Sequence, residues 1–187
     1  LKSEDLEIQH ECKDSYQWIS DVKYTPDGST LGVGSHDNKI YLYDITGGTE
    51  YPLRCVFEKH NSYITHFDFS ADSLYIQSNC GAYELMYYDA NTGEQQTSAP
   101  SMKDVEWATQ TCTLGWGVQG IWPKCADGTD INAVDRSHDG KTLATVDDFG
   151  RLRLFRYPVI TQDSMFTDYT GHSSHVMNVA WTVGDTH

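Results

Sequence analysis

Ser20-Asp21-Val22-Lys23-Tyr24-Thr25-Pro26-Asp27-Gly28 returns, in altered form, further along the chain. Thr65-His66-Phe67-Asp68-Phe69-Ser70-Ala71-Asp72-Ser73 and Asn132-Ala133-Val134-Asp135-Arg136-Ser137-His138-Asp139-Gly140 share its plan: an alternating run closed by a polar turn. Asn178-Val179-Ala180-Trp181 begins another such unit. The apolar anchors Val22, Phe67, Val134 and Val179 stand 45, 67 and 45 residues apart. A period of roughly 40–45 residues is that of four-stranded propeller blades. The long middle interval is one period plus an insert of 22 residues.

Each unit continues in the same order. After the polar turn comes a small-residue strand, Leu31-Gly32-Val33-Gly34-Ser35, Leu74-Tyr75-Ile76-Gln77-Ser78 or Leu143-Ala144-Thr145-Val146. A third strand ends on an aromatic: Lys39-Ile40-Tyr41-Leu42-Tyr43-Asp44, Glu84-Leu85-Met86-Tyr87-Tyr88-Asp89 or Arg151-Leu152-Arg153-Leu154-Phe155. Alternation and turn boundaries mark these as strands. Fourth, outer strands are placed near Leu53–Phe57, Gln95–Thr97 and Met165–Tyr169, with one more near Leu6–His10. No window carries a sustained helical period. The expectation is an all-β fragment of about three and a half four-stranded antiparallel blades, not closed within this chain. Blades fall near 16–58, 59–97 and 130–170, a further blade starts in 171–187, and the insert occupies 98–129.

The units resemble WD40 repeats at positions that can be named. A His opens two of them, in Lys59-His60 and Gly171-His172, and Tyr43-Asp44 and Tyr88-Asp89 stand where that family carries Trp-Asp. The resemblance implies a structural tetrad in which a turn Asp, the opening His, a Ser or Thr and the strand-end aromatic are hydrogen-bonded. Asp37 matches the turn Asp, His60 and His172 the histidine, and Ser35, Ser78 and Thr145 the hydroxyl. Tyr43, Tyr88 and Phe155 replace Trp, the second unit has no turn Asp, and Asp148 sits one place early.

The insert is more specific. Asp104-Val105-Glu106-Trp107-Ala108-Thr109-Gln110-Thr111 runs on through Ile121-Trp122-Pro123 to Asp130-Ile131-Asn132-Ala133. With Asp147-Asp148-Phe149-Gly150, Gly171-His172-Ser173-Ser174-His175-Val176 and His60-Asn61-Ser62-Tyr63-Ile64-Thr65-His66, it is similar, from about residue 16 onward, to the C-terminal propeller of the echinoderm microtubule-associated protein-like family. That resemblance implies a cytoplasmic, cytoskeletal scaffold whose propellers engage tubulin or other protein partners. The alternative is a generic WD40 adaptor in another assembly.

The bulk numbers agree. The chain has 187 residues, 39% hydrophobic and 12% aromatic, enough for a core. Its 27 acidic against 13 basic residues leave a formal charge of −14, which repels phosphate backbones and anionic lipid. Nucleic acid and membrane are therefore poor partners. Five scattered cysteines, Cys12, Cys55, Cys80, Cys112 and Cys125, fit a reduced setting. A chain of incomplete blades is expected to self-associate or to belong to a longer ordered protein.

Other motifs fail on context, and no enzyme activity, cofactor or metal is expected. Gly115-Trp116-Gly117-Val118-Gln119-Gly120 satisfies GxGxxG, but no helix pattern follows it to receive a phosphate. Asp148-Phe149-Gly150 lacks the rest of a kinase set, and Gly140-Lys141-Thr142 lacks the P-loop's earlier glycine. His172 with His175, or Cys55 near His60, gives no four-ligand spacing. Asp147-Asp148 reads as a solvated turn. Trp107, Trp116 and Trp122 all fall in the insert. They either bury that long connection or form an aromatic interface patch.

Overall fold

The hairpins close on one repeated piece of chemistry. Thr25 Oγ1 donates to Asp27 Oδ1 at 2.6 Å, Ser70 Oγ to Asp72 Oδ1 at 2.6 Å, and Ser137 Oγ to Asp139 Oδ1 at 2.7 Å. Each carboxylate also accepts a backbone N–H two residues on, from Ser29, Leu74 and Lys141. Each hydroxyl accepts the N–H that opens the returning strand, from Thr30, Tyr75 and Thr142. Short polar side chains that bond their own turn are why Ser, Thr and Asp favour such places. Gly28 and Gly140 take φ of +70°, and Ser73 occupies the same position at +63°.

These turns organise the strands of a computed structural model that describes residues 7, 8, 10–48, 50–123 and 130–187. β1 (Ile19–Tyr24), β2 (Thr30–Ser35), β3 (Ile40–Asp44) and β4 (Leu53–Phe57) form one antiparallel sheet in chain order. β5 (Ile64–Phe69), β6 (Tyr75–Cys80) and β7 (Leu85–Asp89) form a three-stranded sheet. β8 (Ile131–Arg136), β9 (Thr142–Asp147), β10 (Arg151–Arg156) and β11 (Phe166–Thr170) form the third. The register slips once at the start of every first strand: between Ile19 and Asp21, Ile64 and His66, and Ile131 and Ala133. A bulge repeated at one place in three sheets marks one supersecondary unit used three times.

Several expectations are corrected in detail. The second blade has no fourth strand; Gln95 makes a single bridge to Tyr88 before the chain turns into a short 3₁₀ helix, Ala99–Met102, that carries Pro100. Proline has no N–H to give to a ladder. The outer strand placed at Leu6–His10 falls partly on Leu6 and Gln9, outside the described residues; Glu7, Ile8 and His10 are not in a strand. The strand expected from Val176 does not form either. Within residues 171–187 no second strand forms for it to pair with, and an isolated strand is not stable. Val176 N–H instead donates to the Asp147 carbonyl, and Trp181 N–H to the Asp135 carboxylate at 2.7 Å.

The chain divides into two compact units, Leu1–Ala108 and Thr109–His187. The first is built on Ile40, Leu42, Phe57, Ile64, Phe67, Phe69, Ile76 and Tyr88. Here β5 packs on the glycines of β2: a Cβ on Gly32 would stand 2.8 Å from Phe67 Cε2, and one on Gly34 2.9 Å from Ile64 Cγ2. Ile64, Phe67 and Phe69 are thereby sealed from water, whereas Ile19, Val22 and Tyr24, at the same register positions of β1, are 48%, 52% and 65% exposed. The second unit gathers Val118, Ile121, Ile131, Val134, Leu143, Phe155 and Val159.

The glycine faces give a direct test. Gly32→Val drives a branched side chain into Phe67 and Phe69, with an expected cost of about 1–3 kcal/mol. Gly171→Ala, with nothing within 4 Å of the new atom, is expected to be near neutral. Urea melts of both variants check the difference.

Candidate functional site

Buried polar groups at the strand ends must find partners, and each blade does so differently. In the first, Ser35 is fully buried and its Oγ lies 2.6 Å from Ser15 Oγ, so a serine stands where the second blade has histidine. Asp37 N–H donates to Ser35 Oγ, and the Asp37 carboxylate accepts Tyr41 Oη–H at 2.7 Å. Tyr43 is not part of this group; it donates to Asp14 at 2.9 Å. Bonding to a carboxylate and, above all, burial push both tyrosine hydroxyls far above their ordinary pKa.

The second blade brings His60 and Ser78 together, with Nε2 2.7 Å from Oγ. The missing turn aspartate is replaced by Glu84, two places later than the position matching Asp37. Its Oε2 stands 3.6 Å from His60 Nδ1 and accepts the Asn61 N–H at 3.0 Å. Tyr88 does not join by its hydroxyl, which points to Met86 Sδ at 3.2 Å. Its ring stacks on Phe57 at 4.4 Å, and burial lifts its pKa to about 12. The Asn61 hydrogen bonds hold Glu84 down from 4.5 to about 2, and burial lowers His60.

In the third blade Thr145 is buried, level with Ser78 and with Val33, while Ser35 lies level with Cys80 and Asp147. Asp147 is not solvated as the Asp-Asp pair suggested: it is 3% exposed. It accepts the N–H groups of Phe149 and Arg151 and pairs with Arg153 at 3.2 Å. Asp148 holds Asn132 and His175. His172, expected as a buried tetrad member, is exposed. The strands that enclose such a histidine belong to its own blade, and residues 171–187 form none.

The insert packs. Trp107 is 6% exposed, lies on Tyr87 at 6.0 Å, and bridges Ser70, so that residues 106–108 run alongside the end of β5. Trp122 is half-buried against the second core and donates Nε1–H to the Thr113 carbonyl at 3.1 Å; Trp116 is half-buried. The GxGxxG stretch forms the 3₁₀ helix Trp116–Ile121. Gly120 N–H donates to Val159 O and Val159 N–H to Gly117 O, and a Cβ on Gly120 would fall on the Thr161 backbone. These glycines admit a neighbouring chain, not a phosphate. Cys125 and Asp127-Gly128-Thr129 lie outside the described residues. Among those described, Cys12, Cys55, Cys80 and Cys112 are not joined in disulfides.

A family model described as "Echinoderm microtubule-associated protein second beta-propeller" matches residues 1–187. Echinoderm microtubule-associated protein-like 2 of Mus musculus is 50% identical over 174 residues, which cover 92% of this chain and 27% of that protein. Echinoderm microtubule-associated protein-like 1 of Mus musculus is 44% identical over 187 residues, covering 100% and 23%. The 77 kDa echinoderm microtubule-associated protein of Strongylocentrotus purpuratus is 46% identical over 187 residues, covering 100% and 27%. The chain thus spans about a quarter of the length of these relatives. Among solved structures, the WD40 repeats of RRP9 superpose with a TM-score of 0.49 at 12% identity, over 87% of this chain and 42% of that one.

Two outcomes are expected from this geometry. Trp107→Ala removes a buried indole and is expected to cost about 3–5 kcal/mol in denaturant melts. Glu84, whose folded pKa is depressed, contributes stability above pH 4.5 that is lost as pH falls toward about 2. Buried neutral His60 acts in the same direction as it is forced to take up a proton. Glu84→Gln is therefore expected to lower stability at pH 7 and to flatten the loss between pH 5 and 3, read from melts across that range.

Proposed function

The chain belongs to the echinoderm microtubule-associated protein family, and from that premise we propose that it is a protein-binding propeller segment of a microtubule-associated scaffold, with tubulin or other cytoskeletal proteins as partners. The observation that carries this reading is the match along the whole chain to the family's second propeller. Blades near 16–58, 59–97 and 130–170 then supply the frame, with the insert at 98–129 and a further blade beginning at 171. Ser35, Asp37, Tyr43, His60, Ser78, Tyr88 and Thr145 serve that frame, and partners meet exposed loops and strand edges. Trp107, Trp116 and Trp122 hold the insert in place. The burial of Trp107, the half-burial of Trp116 and Trp122, and the bond from Trp122 Nε1 to Thr113 support packing over an open aromatic patch.

The charge pattern constrains how such a segment meets tubulin, whose surface is acidic. A formal charge of −14 opposes long-range approach. Arg151, Arg153 and Arg156 are the basic cluster that could overcome this locally. Two of them are already engaged: Arg153 lies 3.2 Å from Asp147 and 3.4 Å from Asp168, and Arg151 3.4 Å from Asp168. Binding then depends on shape-matched contact, and steering is left to other parts of the protein. Screening weakens repulsion between like charges. In co-sedimentation with microtubules, the chain's affinity is expected to hold level or rise modestly between low and physiological ionic strength. Strong binding that collapses with salt and needs tubulin's acidic tails would overturn the reading.

A further inference from the structure

Three side chains from separate stretches of the second blade aim their donor atoms at one spot. Cys80 ends β6, Glu84 precedes β7, and His60 stands ahead of β5. His60, Cys80 and Glu84 each offer a ligand atom within 4.8 Å of the other two. Cys80 Sγ lies 3.2 Å from Glu84 Oε2, and His60 Nδ1 lies 3.6 Å from the same oxygen. Nitrogen, oxygen and sulfur ligands at about 2.0–2.3 Å from a tetrahedral zinc ion stand roughly 3.3–3.6 Å apart. The two distances to Glu84 Oε2 are close to this spacing, and His60 and Cys80 come within 4.8 Å of each other.

The protonation of His60 sharpens this. Ser78 Oγ lies 2.7 Å from His60 Nε2, with the Met86 carbonyl at 3.4 Å as a further acceptor, and in the tautomer where Nε2–H donates to Ser78 the Nδ1 lone pair is available to a cation. Nδ1 is the ring nitrogen turned toward Glu84. It is shielded from water and has no hydrogen-bond partner, on a side chain that is 0% exposed. A cation between Nδ1 and the carboxylate oxygen takes both as ligands. Holding the far ring nitrogen by hydrogen bond is also how metal-binding histidines are oriented. Asn61 orients Glu84 in the same way, through its N–H to Oε2.

We propose that His60 Nδ1, Cys80 Sγ and Glu84 Oε2 bind one divalent cation of the zinc class. A mixed nitrogen, sulfur and oxygen set favours such an ion over calcium or magnesium, which take oxygen ligands. Glu84, 27% exposed, leaves an entry path and a fourth position for water. On binding, the Cys80 S–H bond breaks, its proton passes to solvent, and a sulfur–metal bond forms, so affinity rises with pH. The ion ties the loop before β5 to the turn between β6 and β7. Sequence spacing concealed the set, because His60 and Cys80 are 20 residues apart and neither belongs to a CxxC or HxxxH pattern. The inference stands independently of the partner reading above.

The test is a titration of the full chain with cobalt(II) alone, followed by thiolate-to-cobalt charge-transfer absorption and then displacement with zinc(II). The expected result is one cobalt per chain, a band abolished by Cys80→Ser, and an affinity weakened about tenfold or more by Glu84→Gln. Circular dichroism of both variants without metal separates lost binding from lost folding. Should either variant unfold, zinc(II) must still raise the thermal midpoint of the unaltered chain. A chain that develops no charge-transfer band overturns the site, and so does a band that survives Cys80→Ser.

Discussion

The bond from a turn hydroxyl to an aspartate two residues on is the constraint from which the rest of each blade follows. Thr25 with Asp27, Ser70 with Asp72 and Ser137 with Asp139 close three hairpins in one geometry. A hairpin's turn sets its register, and a slip of one residue would send every side chain to the opposite face. With register set, Gly32 and Gly34 face Phe67 and Ile64, and Ser78 faces His60. Close packing between β2 and β5 and the buried polar contacts are both downstream of that turn. Asp27 and Asp139 are held below their ordinary pKa by the same hydroxyls, so those two turns stay charged and intact at neutral pH.

Beyond the turns, the blades share a plan but differ in how they satisfy the polar groups they bury. The first uses Ser15, Ser35, Asp37 and Tyr41; the second uses His60, Ser78 and Glu84; the third uses Asp147 with Arg153. The requirement is common to all three: a buried donor or acceptor without a partner costs more than a good hydrogen bond returns. The solutions are interchangeable in kind because different side chains can deliver a hydroxyl, a ring nitrogen or a carboxylate to the same place. His60 Nδ1 is where the second solution stops short of completeness.

The acidic character of the chain is partly spent inside this scheme. Asp21, Asp37, Asp135, Asp147, Asp148 and Glu84 accept backbone or side-chain donors within the fold. Arg151 and Arg153 are likewise engaged by Asp168 and Asp147. Carboxylates thus outnumber the basic groups left unpaired by these contacts, in keeping with the formal charge of −14.

Much of the fold was legible because its cues are local. Alternation and polar turns gave the strands, and the 45-residue period gave the number of blades, since each depends on residues near in sequence. The outer strand at Leu53–Phe57 was legible for the same reason. Three things were not readable that way. The chain alone matched Ser35 with Ser78, but the bulge register puts Ser35 level with Cys80, because a two-residue offset keeps the same face and the same alternation. It left Asp147 in solvent, but the sheet buries it beside an arginine two places along the neighbouring strand. It found no acid for the second blade and no cluster of ligands, yet folding sets Glu84 and Cys80 beside His60. Sequence determines which residues can hydrogen-bond in a turn or alternate on a strand; only tertiary structure decides which of them meet, because contacts between strands depend on register and twist accumulated over many residues.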